Sequence, residues 1–291
     1  MSDTTAVLKF GWLPDLPSFQ DYTPEHAKVK PMLTKALGAG APKAPLTMDL
    51  RAWCSPIENQ LGLGSCTAHA GVGMVEYYQR RAFGKHVDAS RLFLYKATRD
   101  LLKWTGDTGA FLRSTMEALV LFGVPPEEYW PYVVANFEVE PTAFLYSFAQ
   151  NYQALNYYRL DPPGTAKSAL LATIKTNLAA GLPAMFGFTV YNSYTQASVA
   201  NKGAIPYPTV GEKVVGGHAV MVVGFNDTLQ IKNTNAGAAA TTGALLIRNS
   251  WGTGWGDGGY GWLPYDYVLK GLATDWWALI SQEWVDTNKF G

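Results

Sequence analysis

Two thiols and four imidazoles are the nucleophiles and neutral-range bases of this 291-residue chain: Cys54, Cys66, His26, His69, His86 and His218. Cys66 stands in NQLGLGSCTAHA, residues 59–70. A thiol attacks only as its thiolate, and a free cysteine with a pKa near about 8.5 is mostly protonated at neutral pH. A helix N-terminus and a nearby imidazolium both lower that value. Cys66 directly follows Ser65, a candidate helix N-cap, and Gly62 and Gly64 allow an unhindered turn into the helix. The base is expected from far along the chain. His218 lies in VVGGHAVMVVGF at the head of a buried strand, and Gly216 and Gly217 before it leave room for a substrate. Asn249, in LLIRNSWGTGWGDGGYGW, offers an amide oxygen to a ring N–H. Trp251 would shield that bond from water, where a low dielectric strengthens it. A developing oxyanion needs donors, and the Gln60 side-chain amide and the Cys66 backbone N–H can supply two. The chemistry such a set performs is acyl transfer through a thioester.

The other candidates read differently. His69 follows Cys66 by three residues on the same helix, but one turn on it points into packing, so it is read as a core histidine. His26 and His86 are read as surface residues and Cys54 as a packed thiol. Two cysteines make no disulfide framework, and no metal-ligand spacing appears, so neither metal nor cofactor is expected. Gly254 to Gly259 fits G-x-G-x-x-G, but YGWLPYDYV after it supplies no helix, so it is read as a turn.

Taken together, Gln60 six residues before Cys66, the Gly-His-Ala-Val at 217–220 and the Asn-Ser-Trp-Gly-Thr-Gly-Trp-Gly at 249–256 resemble the papain-like cysteine peptidases. The resemblance runs from about Leu46 to Trp262. It implies an α+β, papain-like two-lobed fold: a helical left lobe, a β-barrel-like right lobe and a cleft between them. It assigns Cys66 as nucleophile, His218 as general base and acid, Asn249 as its orienter and Gln60 as oxyanion donor. It matches GDTGAFLR, residues 106–113, to the stretch holding substrate backbone at the second non-prime position. Gly109 and Ala110 would lie there, with Leu112 and Gly187 beside the adjoining specificity pocket; an ordinary helix N-terminus is an equal reading of that loop. The family's disulfide positions carry Leu63 and Asp107 here, so the loop before Cys66 is expected to be held by packing alone. Thr67 replaces the usual Trp. No histidine-bearing insertion occludes the cleft, which points to an endopeptidase acting on peptide or protein substrates. Acyl transfer to an amine, or a peptidase fold that only binds, are the rival readings.

The elements that must position these residues follow from periodicity. Helices are expected over 65–83, 90–103, 110–123 and 165–180, and strands over 184–191, 218–225 and 243–250, with a long hairpin over 226–243. Helices thus dominate the first half and strands the second. Residues 1–45 form an N-terminal extension. Residues 46–291 form the peptidase domain: a helical lobe over 46–160, a β-rich lobe over 161–265 and a returning tail over 266–291. FGWLPDLPSFQDYTPEH, residues 10–26, reads as extended chain. It would lie either along the cleft, limiting access, or on the back of a lobe. Lys+Arg and Asp+Glu are both 23, so no net field favours nucleic acid or an acidic membrane. No apolar run approaches the ~18 residues of a membrane span, and no signal peptide is legible, so a cytoplasmic location is the default expectation.

Overall fold

The computed structural model describes residues 9–38, 45–152 and 156–290. Its helices are α1 (Lys30–Leu37), α2 (Cys66–Phe83), α3 (Arg91–Leu101), α4 (Leu112–Leu121), α5 (Ala143–Ala149), α6 (Lys167–Ala179), α7 (Tyr265–Leu269) and α8 (Gln282–Asp286). Its strands are β1 (Trp12–Leu13), β2 (Thr47–Asp49), β3 (Ala110–Phe111), β4 (Asn156–Arg159), β5 (Ala184–Tyr191), β6 (Val214–Lys232), β7 (Ala240–Arg248), β8 (Tyr260–Pro264) and β9 (Ala273–Ile280). No helix among the described residues is long and apolar enough to cross a membrane.

The central element is α2. It is buried continuously from Cys66 to Tyr78, so it lacks the polar stripe of a surface helix. Its small residues explain how it fits. A Cβ on Gly71 would meet Leu94, Thr115 and Leu119 of α3 and α4, and one on Gly73 would lie 2.5 Å from the Arg248 guanidinium of β7. The helix therefore lies between the helical layer and the sheet. Arg80 and Arg81 occupy its last turn, and Gly84 ends it at φ 76° with its N–H on the Arg80 carbonyl.

The main sheet has the order β4-β9-β5-β6-β7-β8, with β2 added to β6, and every pairing is antiparallel. The first part of β6 pairs with β5 and its remainder with β7, and bulges near Val222–Gly224 and Asn226–Gln230 twist it between the two. β5, β6 and β7 are buried on both faces where they cross the core, which is why the sequence shows apolar runs there. The expected α+β, papain-like class holds, and the sheet of the β-rich part does not close into a barrel among the described residues. The sheet stays open, because β4 and β8 end its path on opposite sides without pairing with each other. Residues after 265 return into the sheet as β9, between β4 and β5.

The helix expected at 110–123 starts two residues later, after the short β3. The extended reading of residues 10–26 holds for residues 10–18, but turns at 19–21 and 24–26 break the rest, and α1 follows them. Pro31 suits its first turn, and Val29, Met32, Leu33 and Ala36 bury one face at helical spacing. That face packs toward α8, where Lys35 pairs with Asp286 at 2.6 Å.

Candidate active site

Cys66 is the first residue of α2 and is wholly buried. His218 lies in β6 opposite Phe188 of β5. Its Nε2 is 2.8 Å from the Asn249 Oδ1. Ser250 N–H donates to the same oxygen at 2.8 Å, which fixes the amide with its oxygen toward the ring. Nε2 therefore carries the hydrogen, and Nδ1 is left basic, buried and without a hydrogen-bond partner. Trp251 stacks over the imidazole at 4.6 Å between ring centres and 22° between planes. The bond between His218 and Asn249 is thus roofed as the sequence suggested.

Gln60 is fixed from both sides. Its Oε1 accepts from Ser250 Oγ at 2.6 Å, and its main-chain N–H donates to the Ser250 carbonyl at 2.8 Å. Ser250 is a residue the sequence reading passed over, although it sits inside the motif. The Gln60 Nε2 donates to the Leu63 carbonyl at 2.8 Å and to the Lys9 carbonyl at 3.0 Å.

The second of those acceptors belongs to the N-terminal segment, which meets each remaining candidate in turn. Phe10 packs edge-on to His218, Trp251 and Tyr194. Gly11 leaves no space for a side chain, since a Cβ would lie 1.8 Å from the Gly64 carbonyl oxygen. The Gly11 carbonyl accepts from Ala110 N–H at 2.8 Å, and a Cβ on Gly109 would lie 2.2 Å from it. The segment continues as β1, in parallel register with β3: Trp12 opposite Ala110 and Leu13 opposite Phe111. The Trp12 indole lies where a Cβ on Gly187 or Gly217 would collide with it, at 1.9 and 2.8 Å. Its Nε1 donates to Asp275 Oδ2 at 3.1 Å. Gly109, Ala110, Gly187 and Gly217 thus converge on residues 11 and 12 of the same chain. Leu112 is buried at the start of α4, in the apolar cluster that also holds Trp12.

Burial dominates the electrostatics of the two groups. It pushes the Cys66 thiol up to about 11, against smaller opposing hydrogen bonds from backbone groups including Gly11. Burial also pushes the His218 imidazole down to about 4, with the Asn249 bond opposing it. The expectation of a lowered thiol is therefore corrected for this arrangement: the desolvation of both groups outweighs the helix N-terminus, and the pair is neutral.

Three further residues emerge only from the fold. Asp107 stands in for the missing disulfide: its Oδ1 accepts from Gly64 N–H at 2.9 Å and from Tyr95 O–H at 2.6 Å, and it pairs with Lys9. Packing alone does not hold that loop. Asp275, at φ 62°, divides its oxygens between the Trp277 and Trp12 indoles, with Arg159 3.3 Å from Oδ1. Arg113 grips Asp21 with two nitrogens at 2.8 and 2.9 Å, donates to the Leu16 carbonyl and pairs with Asp15. His69 is buried beside Ser65 and Tyr132 rather than facing the cleft, in agreement with the packing reading. Glu76, His86 and Asp88 lie close enough to share a cation, but Glu76 already accepts from Ala89 N–H at 3.0 Å.

A family model described as papain family cysteine protease matches residues 44–274. The chain is 33% identical over 225 residues to an uncharacterized peptidase C1-like protein of Acanthamoeba polyphaga mimivirus, covering 75% of this chain and 67% of that protein. It is 26% identical over 227 residues to cathepsin K of Gallus gallus, covering 75% and 58% respectively. The chain thus spans about two thirds or less of the length of these relatives. Among solved structures it is similar to xylellain, a cysteine protease from Xylella fastidiosa, with a TM-score of 0.73 and 29% identity over 94% of this chain and 96% of that one. The bromelain protease from Ananas comosus, at 17% identity and a TM-score of 0.58, shares the fold. With the family match running across both lobes, and with the motif residues gathered at one site between them, the chain belongs to the papain family of cysteine proteases.

Proposed function

We propose that residues 46–291 act as a cysteine endopeptidase domain on peptide or protein substrates, and that the 1–45 extension ahead of it limits access to the cleft. His218 Nδ1 takes the proton of Cys66, and the thiolate adds to a peptide carbonyl carbon. Gln60 Nε2 and the Cys66 N–H meet the charge on the carbonyl oxygen. His218 passes its proton to the departing amine as the C–N bond breaks, leaving a thioester. It then takes a proton from water, whose oxygen displaces the thiol as the acid leaves. Asn249 holds the imidazole in the Nε2–H form throughout, under Trp251. No cofactor enters any step. The observation that carries the reading is the 2.8 Å bond from His218 to Asn249, roofed by Trp251, with Nδ1 free to take a proton.

Residues 9–13 support the second part of the reading. The Lys9 carbonyl is bound by Gln60, and Trp12, which follows it in sequence, fills the space at Gly187. In a substrate the residues at those non-prime subsites precede the attacked carbonyl. The segment therefore runs opposite to a substrate and would occupy the cleft without being turned over. The test is hydrolysis of fluorogenic peptides by the full chain and its Trp12→Ala and Cys66→Ala variants, with a thiol-directed epoxide mapped by mass spectrometry. Hydrolysis and an adduct at Cys66 are expected, and Cys66→Ala should lose both. No cleavage and no adduct, in wild type and Trp12→Ala alike, would sink the reading.

A further inference from the structure

Gln60 and the Cys66 N–H, the two donors proposed for the oxyanion, sit at opposite ends of a loop that no disulfide closes. One hydroxyl joins those ends. The Tyr132 O–H donates to the Gln60 carbonyl at 2.9 Å, and its oxygen lies 2.7 Å from Ser65 Oγ. A phenol has one hydrogen and a carbonyl only accepts. The phenol hydrogen therefore goes to Gln60, and the Ser65 O–H donates to Tyr132. Ser65, at the N-cap position of α2, makes no side-chain capping bond.

The same count fixes His69. With the Ser65 hydrogen committed, His69 Nδ1 is the donor to the Ser65 carbonyl at 3.0 Å, and Nε2 is bare, buried and unpartnered. Tyr132 is held from behind as well. Its ring lies edge-on to His69 at 5.1 Å and under the Arg91 guanidinium at 5.1 Å. Its main-chain N–H donates to Glu127 Oε1 at 2.6 Å. Arg91 bridges Glu127 and Glu58 at 2.8 and 2.7 Å, and the Glu58 carbonyl accepts from Gly252 N–H, next to Trp251.

We propose that Tyr132 is a positioning residue, which sets the separation of the two oxyanion donors by bridging Gln60 and Ser65. The proposal rests on the peptidase reading above. It gives Tyr132 no contact with substrate; its effect passes through the loop, and so appears where a charged oxygen must be bound.

The test compares a peptide aldehyde with the matching peptide alcohol in the full chain carrying Trp12→Ala. The thiol adds across the aldehyde, forming a C–S bond while its proton goes to oxygen; the alcohol cannot react. Both ligands compete with the segment for the same subsites, so the change in their affinity ratio from parent to variant, with the C–S bond common to both proteins, reports on the site of the adduct oxygen. Deleting an oxyanion donor outright costs on the order of 10²–10³ in rate. Displacing one by loss of the bridge should lower the ratio and kcat about tenfold, with KM unchanged. Ser65→Ala removes the same bridge from the other side and covers the case in which Tyr132→Phe does not fold. The double variant should lose no more than either single one. A high parent ratio unmoved in a folded variant overturns the role of Tyr132 alone, as does equal weakening of both ligands. A parent ratio near one overturns the thioester chemistry, and this proposal with it.

Discussion

Burial holds the Cys66 thiol up at about 11 and the His218 imidazole down at about 4, so both groups are neutral near pH 7 in this arrangement. Under the proposed function, departure of residues 9–13 is expected to relieve part of this desolvation. The buried histidine that takes no part in this chemistry gives a separate prediction. Burial, then the nearby Arg91 charge, hold His69 down to about 3. The folded protein therefore refuses a proton that the unfolded chain accepts below its ordinary value of about 6.5. That term is lost as pH falls from about 6.5 toward about 3, at roughly 1.4 kcal/mol per pH unit. Urea unfolding of wild type and His69→Gln should show the variant gaining about 2–3 kcal/mol relative to wild type between about pH 7 and about pH 4.5. A difference that stays constant with pH would mean that His69 takes up its proton in the fold as readily as in the unfolded chain.

At the scale of elements, β1 is two residues long, and its hold comes from side chains and anchors rather than from its ladder. The Trp12 indole is 5% exposed, and the loop after it is tied down by Arg113 and Arg159 through Asp15 and Asp21. Gly11→Ala puts a Cβ into the Gly64 carbonyl, a backbone clash that no rotamer change relieves. It should displace residues 9–13 while leaving the far anchors intact. The expected result is a kcat/KM and a rate of Cys66 alkylation each raised by an order of magnitude or more over wild type, a shift of at least about 1.4 kcal/mol, with Cys54 unlabelled in both. Trp12→Ala should act in the same direction. Unchanged kinetics in both would reduce the segment to a structural brace. The sequence marked this stretch as extended and aromatic but left its place open, since alternating Pro and aromatic residues fit a cleft and a lobe surface equally. Cys66, His218, Asn249 and Gln60 were legible as candidates because each sits inside a dense local motif. The roles of Tyr132, Asp107 and Asp275 were not, because each depends on partners tens to hundreds of residues away, such as Gln60, Gly64 and Trp12.

Over the whole molecule, the two layers meet across α2. Arg248 of β7 reaches over Gly73 to Ser55 Oγ at 3.0 Å and to the Pro56 carbonyl at 2.7 Å. It thereby ties the sheet to the chain that leads into the Gln60 loop. A methyl at Gly73 would lie 2.5 Å from its guanidinium. Gly73→Ala is favourable for the helix itself by up to about 1 kcal/mol. It is nevertheless expected to destabilise the protein by about 1–3 kcal/mol in urea unfolding, because a buried cation must leave its acceptors. A stabilised variant would show that Arg248 can move freely and does not join the layers.

By itself, the sequence determined the class of fold, the ends of α2, the strands flanking His218 and Asn249, and the catalytic candidates. Helical and strand periodicities, glycine placement and dense motifs are local properties of a chain, and these features follow from them. Only the tertiary structure decided that the sheet stays open, that β9 comes back between β4 and β5, that Asp107 replaces a disulfide, and that residues 9–13 lie over Cys66 and His218. Each of these depends on which distant segments share a volume. The same contacts set the solvation of the thiol and the imidazole, so the state of the site was beyond the reach of any local pattern.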